Sequence, residues 1–170
     1  MKIYHISLED KRVEVFTPRV PAEEMRLAEE DSTTARFCVS TTIEGCLSAV
    51  PWGGSSLGLH DKKVITVYEF DTDDLQNKKN LITPLELYQK GFVPDAMYTN
   101  EHWIMNESIQ PRNVFEIVID SYEEKMVPDI SYEDSLLLKE RKVTLDEVWN
   151  GDFVMIKNIK YQFITKKNVA

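Results

Sequence analysis

The stretch "RFCVSTTIEGCLSAVP", Arg36 to Pro51, constrains the fold most. It must be extended, then helical, then stopped, all within 16 residues. "RFCVS" alternates only weakly and reads as a buried strand. "TTIE" fits a capping box with Thr41 as N-cap and Glu44 at N3, where hydroxyl and carboxylate satisfy otherwise orphaned amide hydrogens. Ile43, Cys46, Leu47 and Val50 follow at i, i+3, i+4 and i+7, one apolar face of a helix. Pro51 has no amide hydrogen to continue the ladder and ends it. Ser40 and the following "PWGG" are not needed for this grammar, so a ligand cradle is the second reading. Trp52 is then either a pocket wall or a plug on the core.

The rest of the chain repeats the pattern of strands in series with short helices between them. "KIYHIS", Lys2 to Ser7, opens as a strand. In "VEVFTPRVP" two prolines, Pro18 and Pro21, forbid a central strand, so the segment runs extended over the surface. "AEEMRLAEED" reads as a short helix or a loop. "VITVYEF", Val64 to Phe70, is β-branched and aromatic throughout and is the clearest strand. "TPLELYQKG" reads as a helix with Thr83 as N-cap, Pro84 at N1, Glu86 at N3 and Gly91 beyond its end. "EHWIMNES" and "VFEIVIDSY" read as two strands joined by "IQPRN", a turn that suits a hairpin.

After Tyr122 the texture changes. An acidic linker-like stretch leads to helical "YEDSLLLKE" and to "TLDEVWNG", which repeats the cap with Thr144 and Glu147. "FVMIKNIKYQFI" reads as a hairpin turning at Lys157-Asn158. The expected organisation is a core over residues 1–122 and a helix-plus-hairpin extension over 123–170 packed on it. The fold class is α+β rather than a doubly wound parallel sheet.

Composition narrows the function classes. The chain has 170 residues and a net charge of −9. Such a surface repels phosphate backbones, and the basic residues form only isolated pairs, so general nucleic-acid binding is not expected. No run approaches the length of a membrane span. "MKIYHISLED" lacks the apolar region of a secretion signal. Cys38 and Cys46 lack a CxxC spacing and read as buried thiols of a reducing, cytoplasmic environment. The fingerprints of P-loops, dinucleotide-binding turns, zinc proteases and nucleophile elbows are missing.

Single residues remain. His5, His60 and His102 are too far apart in sequence to suggest a metal set. His5, inside the first strand, would either contact a ligand hydroxyl with its ring on an apolar wall or bond to backbone as a structural group. Paired with His102 it would also suit a small hydrolase or phosphotransferase. Glu101 and Glu107 flank "HWIMN" where a strand begins and ends, either as solvated charges or as acids at a cleft. Arg19 and Arg36 have the fork geometry for pyrophosphate oxygens or for surface ion pairs.

The order of "IYHIS", "VSTTIEGCLSA", "ITVYEF" and "EHWIMNESIQP" resembles that of ADP-ribosyltransferase-like proteins over roughly residues 2–120. "TPRVP", "ARFCVS" and "IEGCLSAVPWGG" also resemble uncharacterised proteins carried by phages and mobile elements of Firmicutes-type bacteria. The resemblance implies a split, mostly antiparallel sheet with short flanking helices. It implies NAD as substrate, with His5 at the ribose, Ser40 and Thr41 at the nicotinamide side, and Glu101 or Glu107 as the acid. Arg36 and Trp52 would complete the binding site. No Glu-x-Glu or Gln-x-Glu pair occurs in the late strand. A host macromolecule would be the acceptor. The other class of function is a non-enzymatic acidic module that binds a host protein.

Overall fold

The computed structural model describes residues 1–9, 11–51, 56–57 and 61–164. Its strands are β1 (Lys2–Ser7), β2 (Phe37–Ser40), β3 (Ile65–Asp71), β4 (Leu81–Ile82), β5 (Glu101–Ile104), β6 (Asn113–Pro128) and β7 (Phe153–Phe163). Its helices are α1 (Ile43–Ser48), α2 (Pro84–Gln89), α3 (Ala96–Thr99), α4 (Tyr132–Lys139) and α5 (Leu145–Val148). The fold is α+β. The seven strands form one sheet in the order β4-β5-β2-β1-β3-β6-β7. β1 pairs antiparallel with β2 and β3, β5 with β2 and β4, and β6 with β3. Among the described residues this sheet is continuous, not split as expected.

Register divides the side chains between two faces, because neighbours along a strand point to opposite sides. On one face Ile3, Phe37, Val39, Tyr68, Phe70 and Ile104 are buried under Phe16, Leu75 and Ile109. On the other, Ile43, Leu47 and Val50 of the α1 region and Leu57 cover Ile65, Val67, Ile117 and Ile119. Leu87 of α2, Val93 of the following connection and Ala96 at the start of α3 pack with Trp103 on that same second side. Each fully buried aliphatic side chain here contributes about 1.5–3 kcal/mol by leaving water. The 43/46/47/50 stripe read from the sequence is buried at all four positions.

Three expectations about local structure are corrected. The N-cap of α1 is Thr42, not Thr41: Thr42 is extended, and its hydroxyl accepts from the Gly45 amide. Gly45 therefore stands at N3, and the expected box with Glu44 has no geometry to form in. β5 and β6 are not a hairpin, since β2, β1 and β3 lie between them. The connecting segment crosses the sheet, held by a Phe16–Ile109 bridge and by the Arg112 amide on the Glu69 carbonyl. β7 is one strand of 11 residues with no turn at Lys157-Asn158. A tight hairpin needs positive φ, and neither residue adopts it. By contrast, α2 has its Thr83 cap, Pro84 start and Glu86 box as read.

The chain divides into two compact units, residues 1–122 with 159–170, and residues 123–158. The first holds every buried residue named above. The second contains α4 and α5, with Glu147 accepting from the Thr144 amide at 2.7 Å. None of its 36 residues is buried.

Candidate functional site

Residues 5, 40–41 and 101–102 are far apart in sequence, yet they converge on three consecutive strands. Ser40 is paired with Glu101 on one side and with Tyr4 on the other. Val39 is paired with His102, and His5 with Tyr68. Two parallel rows result. One runs His102, Val39, His5, Tyr68 along the face covered by Phe16. The other runs Glu101, Ser40, Tyr4, Glu69 along the face covered by α1. His5 and Glu101 therefore point to opposite sides of the sheet.

His5 is partly buried. Its Nδ1–H donates to the Cys38 carbonyl at 2.9 Å, and its ring meets Phe16 edge-on and Phe37 at 4.7 Å between centroids. Burial lowers its pKa to about 4 against the opposing pull of that backbone bond, and the positive charge of Arg19 lowers it further. The ring is neutral near neutral pH, and Nε2 keeps its lone pair. His102 is built the same way. Its Nδ1–H donates to the Asn100 carbonyl at 3.0 Å, and burial again depresses its pKa. Two neutral imidazoles thus lie two strands apart on one face, about 10 Å between backbones. Each Nδ1 is thereby committed to a backbone carbonyl, which leaves Nε2 as the acceptor nitrogen of each ring. They are suited to accept from hydroxyl groups.

Thr41 lies just past β2 at the same end of the strands. Its hydroxyl accepts from the Asn100 side chain, and Asn100 has left-handed backbone (φ 54°) as the C-cap of α3. Ser40 is buried. Its hydroxyl donates to the Thr99 carbonyl at 3.4 Å and accepts from the Thr42 amide at 3.4 Å. Its place between strand, α1 and α3 accounts for a hydroxyl that helix-capping grammar left unexplained.

Glu101 is 8 % exposed and accepts from the Trp103 indole at 2.6 Å. Burial pushes its carboxyl up to about 7, against the indole bond and with the negative charge of Glu30 adding to the rise. Arg36, expected at pyrophosphate, is buried and occupied. It pairs with Glu30 and Asp31, donates to the Thr34 carbonyl at 3.1 Å, and lies 4.0 Å over the Trp103 ring. A guanidinium enclosed in this way is an internal tie between strand and loop. Glu107 lies in the segment after β5, at the other end from Glu101. It accepts from the Gln76 amide at 2.9 Å and the Asn80 side chain at 3.2 Å. It also lines a shallow depression of about 250 Å³ with Thr17, Pro18, Ala35, Asn106 and Ser108. Arg19 is exposed, bridged to Arg36 only through backbone. Trp52 and His60 lie outside the described residues.

Sequence reading passed over Glu69. It is 9 % exposed and accepts from Lys2 at 3.0 Å and Asn113 at 2.8 Å. Burial works to raise its pKa, but these bonds outweigh burial and hold the carboxyl below its usual range. Its signal was visible: a lone carboxylate inside the apolar run "ITVYEF" needs partners if buried. Asn100 was missed because its role comes from a left-handed cap, which short motifs do not advertise.

Cys38 and Cys46 are free thiols. Burial pushes both up, Cys46 to about 12, and its Sγ–H donates to the Tyr4 carbonyl at 3.1 Å. Among the described residues no cluster of three His, Cys, Asp or Glu side chains is placed to hold a metal. Nor is any helix there long and apolar enough to cross a membrane. No protein-family model, curated protein or solved structure matches the chain.

Proposed function

We propose that this chain is an ADP-ribosyltransferase-like protein that binds NAD or ADP-ribose at the His5 side of the sheet. One observation carries the reading. The strand with "YH", the strand that leads into "STT" and the strand with "EHW" are neighbours in the sheet, in the order β5-β2-β1. Hydroxyls of the two riboses would donate to Nε2 of His5 and of His102, with Thr41 and Asn100 at the nicotinamide end. Breakage of the nicotinamide bond passes through an oxocarbenium-like state that a nearby carboxylate stabilises. Glu101 points to the opposite face and Glu107 lies at the far end of β5. The geometry therefore favours binding over transfer. Calorimetric titration with NAD and with ADP-ribose tests this, on the wild type and on His102→Ala. Saturable binding by the wild type, weakened at least tenfold in the variant, is expected. Absence of heat at about 1 mM of either ligand, a free energy of only about 4 kcal/mol, would end the reading.

A second reading is an interaction protein that binds a host protein, and a separate observation favours it. The 36-residue second unit has no buried residue, while Met126, Leu136, Leu145, Phe153 and Met155 are exposed large apolar groups. Units of this size seldom hold a core alone and usually gain stability by association. Affinity capture from host lysate with the wild type and with a Phe153→Ser, Met155→Ser double variant decides it. One stoichiometric protein lost in the variant is expected, and no such protein with the wild type would refute it.

A further inference from the structure

Asn150 is followed by Gly151, and no other asparagine of the chain has a glycine after it. The pair lies in the turn between α5 and β7, and both residues are exposed. A side chain on the residue after an asparagine crowds that residue's backbone nitrogen, and glycine leaves it open. Gly151 has φ of 98°, a conformation that glycine adopts freely and that a residue with a Cβ resists. The Oδ1 of Asn150 accepts from the Asp152 amide at 2.9 Å. This bond closes an Asx turn, a small ring that contains both Cγ of Asn150 and the backbone nitrogen of Gly151. The side-chain carbonyl carbon is therefore held near the one amide nitrogen that can attack it, and proximity of this kind favours an intramolecular reaction. The same Asp152 N–H is bonded to the oxygen on which negative charge gathers during the attack, as an oxyanion-hole donor would be.

We propose that Asn150 is a self-modifying position, which loses ammonia through a succinimide and becomes aspartate or isoaspartate. The Gly151 nitrogen gives its proton to solvent base and attacks Cγ of Asn150. The N–Cγ bond forms, the Cγ–Nδ2 bond breaks, and Nδ2 leaves as ammonia with a proton from water. Water then opens the five-membered ring. Cleavage at Cγ gives aspartate in an ordinary main chain, and cleavage at the backbone carbonyl gives isoaspartate. Nothing is oxidised or reduced. Either product adds one negative charge, and isoaspartate also adds one carbon to the main chain within the turn. That turn is closed around the pair: the Trp149 indole N–H donates to the Asp152 carbonyl, and the Trp149 and Phe153 rings meet edge-on at 4.9 Å between centroids. A main chain one carbon longer puts these contacts out of register. Phe153 belongs to the exposed apolar groups of the partner-binding reading, so an effect on a partner rests on that reading, while the chemistry does not.

The test follows peptide masses over days at mildly alkaline pH, on the folded protein and on the same chain unfolded in urea. The mass gain of an amide turned into an acid is expected in the folded protein at Asn150, ahead of every other asparagine. Fragmentation of that peptide separates isoaspartate from aspartate. Gly151→Ala should slow the conversion by roughly tenfold or more, because a misplaced attacking atom loses rate steeply. An Asn150 amide that stays intact in the folded protein after the unfolded chain has lost it would overturn the proposal. So would earlier conversion at another asparagine, no conversion in either sample, or a Gly151→Ala rate equal to that of the wild type. If the Ala variant fails to fold, the comparison of folded with unfolded wild type still decides. The masses are read on the free protein, so a failure of partner capture or of NAD binding leaves this result untouched.

Discussion

The Trp103 indole and the Glu101 carboxyl are joined by a 2.6 Å hydrogen bond between residues two apart on one strand. The same indole ring carries the Arg36 guanidinium on its face. One aromatic side chain therefore ties a buried acid to a buried cation without letting them touch, and the acid is left with a raised pKa of about 7.

Stability should depend on this acid in a definite direction. The ordinary carboxyl value is 4.5, and the folded value is about 7. The folded state thus binds the proton more tightly than the unfolded chain. The stabilisation is complete below 4.5 and is lost as pH rises through 7. Glu101→Gln should match the wild type at about pH 4 and exceed it by up to about 3 kcal/mol at about pH 8. Urea denaturation at the two pH values measures this, and equal gains at both would contradict it.

His5 should act with the opposite sign. Its folded value is about 4 against an ordinary 6.5. Its contribution is present above 6.5 and is lost as pH falls through 4. The upper limit is about 3 kcal/mol, reduced by the solvent contact the ring retains. In the wild type the two groups oppose each other between about pH 4.5 and 6.5. In Glu101→Gln the rising slope of His5 should remain together with that of His102, whose pKa burial also lowers, and His5→Gln should reduce it.

The start of α1 gives a comparison between neighbours. Thr42→Ala removes the hydroxyl that caps Gly45 and should cost about 1 kcal/mol. Thr41→Ala removes only the contact with Asn100 and should cost less, about 0.5 kcal/mol. Chemical denaturation of both variants ranks them. The reverse order would restore Thr41 as the cap.

Gly45 sits where α1, β2 and α3 meet. A Cβ there would collide with the Ser40 hydroxyl and with the Thr99 carbonyl oxygen, and the second of these is backbone and cannot rotate away. Gly45→Ala in a helix ordinarily gains about 1 kcal/mol. Here it should lose about 1–3 kcal/mol through overpacking. A higher melting temperature for this variant would show that the three elements can separate.

Local signals in the sequence reached far, and where they stopped has physical causes. β1, β2, β3, α1 and α2 were legible because their signals are local: β-branched runs, an i/i+3/i+4 stripe, a Thr-Pro-x-Glu start. The cap of α1 was placed one residue early because "TTIE" contains two threonines, and only backbone angles choose between them. Strand neighbours were misjudged where a long crossing looks like a turn, as at "IQPRN". Which face each candidate occupies depends on register, so no motif revealed that His5 and Glu101 are separated by the sheet. The occupation of Arg36 by Glu30 was equally hidden, since a segment without clear periodicity gives no sign that it folds back.

The strand order β4-β5-β2-β1-β3-β6-β7 has a consequence for synthesis. The ribosome delivers β1 first, and β1 ends in the middle of the sheet. Each later strand then joins an edge that is open when it emerges: β2 on one flank, β3 on the other, β5 beside β2, β6 beside β3. β4 alone must wait, because its neighbour β5 is made after it. No strand has to be threaded between two already joined. The sheet can grow outward as the nascent chain lengthens, and at each stage only its current edges stand exposed to wrong partners.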